Sequence, residues 1–339
     1  MTIKLNHQRI LIAKTTHLGD VVITLPLAAR LKQQSPDCTV MFLTQARTAA
    51  VVGRCLDVDS VHTEPEDFDD LVALLASLQV DVFIQVNTSK RLAKAAKAAG
   101  IAVRIGSLFR LYNWWLCTHC VAISRGHSQL NKRLLDMQYL RPFGLGEASL
   151  EQISTSYQFA SQDPAPLIQR LGLAMHKRRI LVHPCLITAK SHQWPLVAYQ
   201  ALMAAFDPKD YQWIITGTAA DRTYLAPLLA NNNANVDCVN TVGHLTLDEL
   251  ITLMMISDGL IASNTGPLHL AAALGIPVVG FYQSNPAVYR RWAAVGRSVT
   301  LLHSDVACLG DKHGKACLCV QAISPEQVKQ AIISWFAER

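Results

Sequence analysis

The sequence has few charged residues and no long apolar run. Only 17% of its 339 residues are charged, whereas 50% are apolar, a share that excludes a disordered chain. A run of about 18 uncharged apolar residues would predict a transmembrane helix, and none occurs. The longest candidate, 268–282, is interrupted by Gly275, Pro277 and Gly280. The chain is longer than one hydrophobic core usually supports, so two domains are expected.

The amino terminus lacks the apolar segment of a signal peptide, since its first nine residues are mostly polar. We therefore expect a cytoplasmic protein whose nine cysteines are thiols, mostly buried as small hydrophobic residues. Cys117 and Cys120 have the CxxC spacing of a zinc site, and Cys308, Cys317 and Cys319 are further thiols. Because no second CxxC follows at the usual distance, neither a metal nor another cofactor is predicted.

Acidic residues are absent between Asp81 and Asp136. That stretch contains nine basic residues: Lys90, Arg91, Lys94, Lys97, Arg104, Arg110, Arg125, Lys132 and Arg133. A block of one sign creates a positive field that suits an anionic partner, although a solvated helix face has the same composition. The net charge of +6 is modest, and no nucleic-acid partner is expected.

Short apolar runs alternate with helical stretches, which predicts parallel sheets covered by helices, an α/β class. In the first half, strands are predicted at 9–14, 38–44, 80–86 and 103–106, and helices at 21–34, 68–79 and 89–99. In the second half, strands are predicted at 179–184, 211–217, 259–264 and 277–282.

The domain boundary is predicted at the linker Asp163-Pro164-Ala165-Pro166, in a segment with weak strand signals. Domains are therefore expected at 1–165 and 166–323, with a final helix at 324–339. The pairs Thr246 with Glu249 and Ser324 with Gln327 have the spacing of capping boxes, which predicts helix starts there.

Asp20 follows the first predicted strand, and a helix is expected to begin near Val21. Ligands of open α/β sheets bind beyond the carboxyl ends of the strands, so this carboxylate lies where a substrate would dock. The alternative is structural, since Asp is a favoured helix cap. The loop lacks the glycines of a phosphate-binding or dinucleotide-binding turn, which argues against a dehydrogenase.

Three loops of the second half suit a phosphate or a ribose. The first contains Asn264, Thr265 and Gly266 before a helix that includes His269, and helix amino termini bind anions. The second contains Thr188 and Lys190, whose ammonium can contact a phosphate. The third contains Thr216, Gly217 and Asp221, and an acidic side chain at such an edge can accept from ribose hydroxyls. A capped helix and a solvated lysine are the structural alternatives.

Taken together, five segments of the chain resemble glycosyltransferase family 9, the bacterial ADP-heptose:lipopolysaccharide heptosyltransferases. These segments are 10–26, 99–106, 182–195, 214–222 and 259–282. The resemblance implies a GT-B fold, with two doubly wound Rossmann-like domains facing each other across a cleft. It implies an acceptor-binding domain at 1–165, a nucleotide-sugar-binding domain at 166–323 and a last helix packing back on the first domain.

The resemblance also implies roles for individual residues. Asp20 corresponds to the family's catalytic base and Lys14 to the lysine that ends its first strand. The donor-binding set becomes Thr188, Lys190, Thr216, Gly217, Asp221, Asn264, Thr265, Gly266 and His269. The anionic acceptor is assigned to Lys14, His17, Lys90, Arg91 and Arg110.

Two positions depart from the family pattern. Asn264 stands where the family commonly has Asp. The family lysine usually lies two residues before the Trp-Pro pair, where this chain has His192. We assign the phosphate contact to Lys190 instead, because a permanently charged ammonium suits a diphosphate better than a mostly neutral imidazole.

The implied reaction is inverting, metal-independent transfer of a heptose from ADP-heptose to Kdo-lipid A or heptosyl-Kdo-lipid A. Such an acceptor is anionic and lies in the membrane, so peripheral contact with the cytosolic face of the inner membrane is expected. The aromatic stretch 108–115 is the candidate contact, with an ordinary core segment as the alternative. A sugar-nucleotide 2-epimerase-like enzyme and a catalytically silent sugar-nucleotide-binding homologue are the competing interpretations.

Overall fold

The computed structural model describes residues 2–123, 129–185, 193–230, 235–308 and 317–337. The chain divides into two compact units, Met1–Ala160 and Ser161–Arg339, each built on one six-stranded parallel sheet. The division falls a few residues before the predicted boundary at 165/166, because Ala165 and Pro166 already belong to the first helix of the second unit.

Unit 1 contains the strands β1 (Arg9–Ala13), β2 (Thr39–Thr44), β3 (Ser60–Thr63), β4 (Val82–Gln85), β5 (Val103–Ser107) and β6 (His119–Val121). Its helices are α1 (Leu18–Thr24), α2 (Pro26–Gln34), α3 (Ala49–Gly53), α4 (Phe68–Ser77), α5 (Lys90–Ala98), α6 (Asn113–Leu116), α7 (Lys132–Met137) and α8 (Leu150–Ser156).

Unit 2 contains the strands β7 (Arg178–His183), β8 (Tyr211–Ile215), β9 (Cys238–Asn240), β10 (Gly259–Ser263), β11 (Val278–Phe281) and β12 (Val299–Leu302). Its helices are α9 (Ala165–Leu171), α10 (Leu196–Ala204), α11 (Arg222–Leu229), α12 (Leu247–Met255), α13 (Gly266–Ala273), α14 (Pro286–Trp292), α15 (Leu318–Gln321) and α16 (Pro325–Ala337).

The two sheets have the same strand order. It is β3-β2-β1-β4-β5-β6 in unit 1, and read from the matching edge it is β9-β8-β7-β10-β11-β12 in unit 2. In unit 1, Ile10 pairs with Val40 on one side and with Val82 on the other. This is the order of dinucleotide-binding folds, in which the chain changes direction beside the first strand. The carboxyl ends of β1 and β4, and of β7 and β10, therefore form the two ligand-binding edges.

The central strands are buried almost throughout, because helices cover both faces of each parallel sheet. In unit 1, Leu11 and Phe83 pack with Leu71 of α4 and Leu92 of α5. In unit 2, the fully buried Trp194 lies 4.6 Å, between ring centroids, from each of Tyr199 and Phe281. These contacts give each unit its own core.

The predicted helix at 21–34 is two helices. The first begins at Leu18, three residues earlier than predicted, and ends at Thr24. The second begins at Pro26, which has no N–H to continue the hydrogen-bond ladder of the first. The capping boxes of Thr246 with Glu249 and of Ser324 with Gln327 are confirmed, and Ser89 caps α5 by accepting from the Leu92 N–H.

Four strands were not predicted, namely β3, β6, β9 and β12, and they are the four sheet edges. The weak segment between the domains carries α8 and α9 rather than an extended linker. The last helix, α16, buries Val328, Ile332 and Trp335 in the core of unit 2.

Among the described residues, no helix combines the length and the apolar character needed to cross a bilayer.

Candidate functional site

Asp20 lies in the first turn of α1 and does not cap it. The cap position is held by the exposed His17, whose side chain makes no capping hydrogen bond, and Asp20 is the third residue of the helix. The side chain of Asp20 is 25% exposed, and its Oδ1 lies 3.5 Å from Lys14 Nζ. A carboxylate in a first turn is favoured by the helix dipole. Asp20 is therefore held near the surface in an ion pair and is not used as a cap.

Lys14 is buried directly after β1. Its N–H donates to Leu43 O at 2.9 Å, and its own carbonyl accepts from Thr44 Oγ1 at 2.9 Å. A buried ammonium is costly unless an opposite charge compensates it, and Asp20 supplies that charge. The pair thus has one buried positive end and one accessible negative end.

The backbone around this pair is fixed by hydrogen bonds. The Thr15 N–H donates to Asn87 Oδ1 at 3.4 Å, and Asn87 Nδ2 donates to Thr15 Oγ1 at 3.3 Å, which joins the loops after β1 and β4. In α1, Thr24 Oγ1 lies 2.9 Å from Asp20 O and 3.2 Å from Asp136 Oδ2. These contacts hold the first turn of α1 at the edge of the sheet, where Asp20 projects.

The predicted acceptor-binding residues divide into two groups. Lys90 and Arg110 are exposed, and they follow β4 and β5 at the same carboxyl edge as Asp20. Arg91 is engaged instead: it pairs with Glu64 Oε1 at 2.5 Å and donates to the carbonyls of Pro65, Glu66 and Asp67. Arg91 therefore fixes the loop before α4, and its contact with the acceptor stays a prediction.

In unit 2, the loop after β10 opens α13. Thr265 is the N-cap residue, yet its hydroxyl donates back to Ser263 O at 3.1 Å and makes no capping bond. Gly266 is the first helical residue and Pro267 the second, while His269 is buried in the same turn. Since the Thr265 side chain does not cap the first-turn N–H groups, they can receive an anion. Asn264 lies beside them, half-buried.

The loop after β8 carries the predicted ribose-binding residues. Asp221 forms a capping box, in which its Oδ2 accepts from the Thr218 N–H at 2.8 Å and from Thr218 Oγ1 at 2.6 Å. A Cβ at Gly217 would lie 3.3 Å from Cys185 Sγ and 3.4 Å from Asp221 Cβ, so this turn leaves little room for a side chain. The spacing of Thr218 and Asp221, three residues apart, is that of a capping box.

Thr216 is buried and serves the interior. Its hydroxyl lies 3.0 Å from Nδ1 of His183, at the end of β7, and 3.3 Å from Val182 O. Burial lowers the pKa of His183 to about 4, so its imidazole is neutral at pH 7. Thr216 and His183 thus join the ends of β7 and β8, and a contact of Thr216 with the ribose stays a prediction.

Thr188 and Lys190, together with the alternative His192, lie outside the described residues. The described chain ends at Cys185, after β7, and resumes at Gln193 before the buried Trp194, whose Nε1 donates to Ile323 O at 2.8 Å. The strand order places β7 between β10 and β8. The three predicted donor loops therefore follow three neighbouring strands of one sheet.

Comparison with known proteins agrees with this architecture. A Haemophilus influenzae protein is 25% identical to this chain over 309 residues, which cover 85% of this chain and 86% of that protein. Its own description as a glycosyltransferase is an inferred one. The structure of E. coli ADP-heptose lipopolysaccharide heptosyltransferase II superposes with a TM-score of 0.80 at 17% identity, covering 98% of this chain and 99% of the other. E. coli heptosyltransferase WaaC with ADP gives a TM-score of 0.68 at 17% identity, covering 97% and 100%.

The structural likeness confirms the predicted GT-B fold, with two parallel six-stranded sheets. The model of glycosyltransferase family 9 (heptosyltransferase) matches residues 71–319, well over half of the chain. Those residues include the predicted donor loops after β7, β8 and β10. The chain therefore belongs to glycosyltransferase family 9, and the protein is an enzyme of that family.

Proposed function

We propose that this enzyme transfers a heptose from ADP-heptose to a hydroxyl of a lipopolysaccharide inner-core acceptor, Kdo-lipid A or heptosyl-Kdo-lipid A, with inversion at the anomeric carbon. The observation that carries the proposal is the arrangement of Asp20, a partly exposed carboxylate paired at 3.5 Å with the buried Lys14. A charged pair at the carboxyl edge of a sheet, with its acidic end accessible, suits a base that acts on a bound hydroxyl.

Asp20 is the proposed general base. It takes the proton of the acceptor hydroxyl while that oxygen attacks the anomeric carbon and the bond to the diphosphate breaks. In inverting glycosyl chemistry the base acts on the face opposite the leaving group. Lys14 positions the carboxylate, because its ammonium is buried and its backbone is held by Leu43 and Thr44.

Unit 2 is the proposed donor-binding unit. The charge that develops on the departing diphosphate is stabilised by the amino terminus of α13, after Asn264, with the Thr265 hydroxyl and Gly266 at the entry of the helix. Lys190, His269 and Asp221 stay in the proposed donor set, and Asp221 would use the carboxylate oxygen outside its capping bonds. The ADP bound by WaaC supports an adenine nucleotide as the leaving group.

Unit 1 is the proposed acceptor-binding unit. Lys90 and Arg110 are exposed cations that would contact the carboxylates and phosphates of the acceptor, with His17 beside Asp20. Nearby, Phe109, Leu111, Trp114 and Trp115 are each between 58% and 68% exposed. Soluble surfaces seldom leave so many large apolar side chains together in water. We assign this aromatic cluster to the headgroup region of an anionic membrane.

The test is an assay with ADP-heptose and Kdo-lipid A. Release of ADP that requires the acceptor, together with a heptosylated product seen by mass spectrometry, is the expected result. Donor binding without turnover would show a silent homologue, and a changed sugar nucleotide without acceptor would show an epimerase. Either result would contradict the proposal.

The variant Asp20→Asn tests whether Asp20 is the general base. Removing the carboxylate while keeping its shape should lower turnover by roughly 10²–10⁴-fold, with nearly unchanged ADP-heptose affinity. Asp70→Asn is the matched control, because Asp70 is also the third residue of its helix, α4, but is exposed elsewhere in unit 1. Equal turnover in the two variants would reassign Asp20 to helix stabilisation.

A further inference from the structure

Three cysteine sulfurs converge at one end of unit 2. Cys308 follows β12, while Cys317 and Cys319 lie at the start of α15, and their Sγ atoms are all within 4.8 Å of one another. Cys317 Sγ lies 3.9 Å from Cys308 Sγ and 2.9 Å from Cys319 Sγ. The described cysteines form no disulfide, so these are three thiols that meet from two segments of the chain.

The separations fit thiolates around one metal ion. Three ligands at a zinc–sulfur distance of about 2.3 Å in tetrahedral geometry lie roughly 3.8 Å apart. The Cys308–Cys317 separation of 3.9 Å is close to that value, and small side-chain rotations would open the Cys317–Cys319 separation of 2.9 Å. Thiolate donors select Zn²⁺ and other soft ions over Mg²⁺ or Ca²⁺.

Hydrogen bonds around the sulfurs join three segments, namely the loop after β11, the loop after β12 and the start of α15. Ser304 Oγ donates to Cys319 O at 2.5 Å, and Ser284 Oγ donates to Ser304 O at 2.6 Å. Cys308 Sγ lies 3.7 Å from Gln283 Oε1. Hydrogen bonds around metal ligands orient them.

We propose that Cys308, Cys317 and Cys319 bind one Zn²⁺ ion as a structural site of unit 2. Each thiol that binds releases its proton to solvent, and the fourth tetrahedral position is left to a non-thiol ligand. The ion would tie the chain after β12 to the start of α15, beside Ser284 after β11. The site uses none of the residues proposed for glycosyl transfer.

Zinc titration of the reduced, chelator-treated full-length protein tests the proposal, with a chromophoric chelator as competitor. One Zn²⁺ per chain is expected. Cys317→Ser and Cys308→Ser should weaken binding by more than the roughly 10–100-fold that loss of a supporting contact costs. Cys238→Ser and Cys117→Ser are matched controls, since Cys238 is an exposed thiol of β9 and Cys117 belongs to unit 1; both should bind zinc as the unsubstituted protein does.

Substitution of the fully buried Cys319 could instead prevent folding, so X-ray absorption on the zinc-loaded unsubstituted protein supplies a second readout. A coordination shell with about three sulfurs near 2.3 Å is expected. A shell of nitrogen and oxygen alone, or binding that survives in both Ser variants, would overturn the assignment. So would a Cys308–Cys317 or Cys317–Cys319 disulfide in a protein that takes up no zinc after reduction.

Discussion

The first strand of each sheet ends at a buried ionisable side chain, and the two units treat it differently. In unit 1, Lys14 keeps its charge opposite Asp20, at 3.5 Å. In unit 2, His183 Nδ1 lies 3.0 Å from the Thr216 hydroxyl. Among the described contacts, His183 has no carboxylate within hydrogen-bonding distance. Burial lowers the pKa of His183 to about 4, since desolvation disfavours the imidazolium. Unit 1 thus retains a charged pair at this edge, and unit 2 retains a neutral one.

The lowered pKa of His183 predicts a loss of stability in acid. A histidine titrates near 6.5 in the unfolded chain and at about 4 in the folded chain, so between these values the unfolded chain binds more protons. The contribution is fully present above pH 6.5 and is lost as the pH falls towards 4. From pH 7 to pH 5 it should lower the free energy of unfolding by about 2 kcal/mol.

Urea unfolding at pH 7 and at pH 5 measures this effect. His183→Asn keeps a polar group near Thr216 but does not titrate, so its free energy of unfolding should fall less between the two pH values. His176→Asn, at an exposed histidine, is the control and should show the full pH dependence. An identical pH dependence in His183→Asn and the unsubstituted protein would contradict the interpretation.

At the level of secondary-structure elements, the sequence predicted the central strands and missed the edges. β1, β4, β8 and β10 are rich in apolar residues, because helices cover both faces of them. The edge strands are short and only partly buried; β3 and β9, for example, carry no continuous apolar run. Their pairing depends on the neighbouring strand, which a local pattern does not contain.

The positions of the candidate site residues were predictable to the same extent. Asp20, Thr265 and Gly266 lie at helix starts that follow β1 and β10, where the α/β order and the family resemblance both direct attention. The roles of Arg91 and Thr216 depend on partners distant in the sequence: Glu64 lies 27 residues from Arg91, and His183 lies 33 from Thr216. Residue type and spacing do not report such contacts. The same holds for the sulfur cluster, whose spacing matches no common zinc motif.

Gly259, at the start of β10, allows α16 to pack on the sheet. A Cβ at this position would lie 2.2 Å from Trp335 Cζ3, so Gly259→Ala forces the indole to move. Overpacking of this kind should lower the free energy of unfolding by about 1–3 kcal/mol. Far-UV circular dichroism during urea unfolding measures the change.

Two further variants make that test specific. In the double variant Gly259→Ala with Trp335→Leu, the smaller side chain should relieve the clash, and the loss of stability should be less than the sum of the single variants. Gly53→Ala is the control, because its Cβ would have no neighbour closer than 4.0 Å. Additive losses would show that Gly259 does not act through Trp335.

At the level of the whole molecule, the two units share one strand order, and we propose that they hold different substrates. Unit 1 carries the exposed cations and the aromatic cluster, whereas unit 2 carries the helix-start loops that suit a diphosphate. Within the aromatic cluster, Lys97 Nζ donates to Trp115 O at 3.0 Å, which places a cation beside the exposed rings. This combination of apolar rings and positive charge is typical of membrane-surface contacts.

Replacing both tryptophans with serine should weaken membrane binding. The variant with Trp114→Ser and Trp115→Ser is expected to partition on the order of tenfold less into anionic phospholipid vesicles, because two exposed apolar side chains lose their contact with lipid. Sedimentation with vesicles at low and high salt measures it, and salt should weaken the remaining attraction. Leu56→Ser, at another exposed apolar residue of unit 1, should partition as the unsubstituted protein does. Equal partition of all three would remove the aromatic cluster from membrane binding.

The first sheet draws all six of its strands from residues 9–121, before any strand of the second. A ribosome has therefore delivered every strand of unit 1 before it begins the strands of unit 2. At about 5–20 residues per second, translation of the second unit lasts roughly 10–40 s, which is ample for the earlier unit to complete its core. Synthesis order thus separates the two folding events in time and limits mispairing between strands of the two halves.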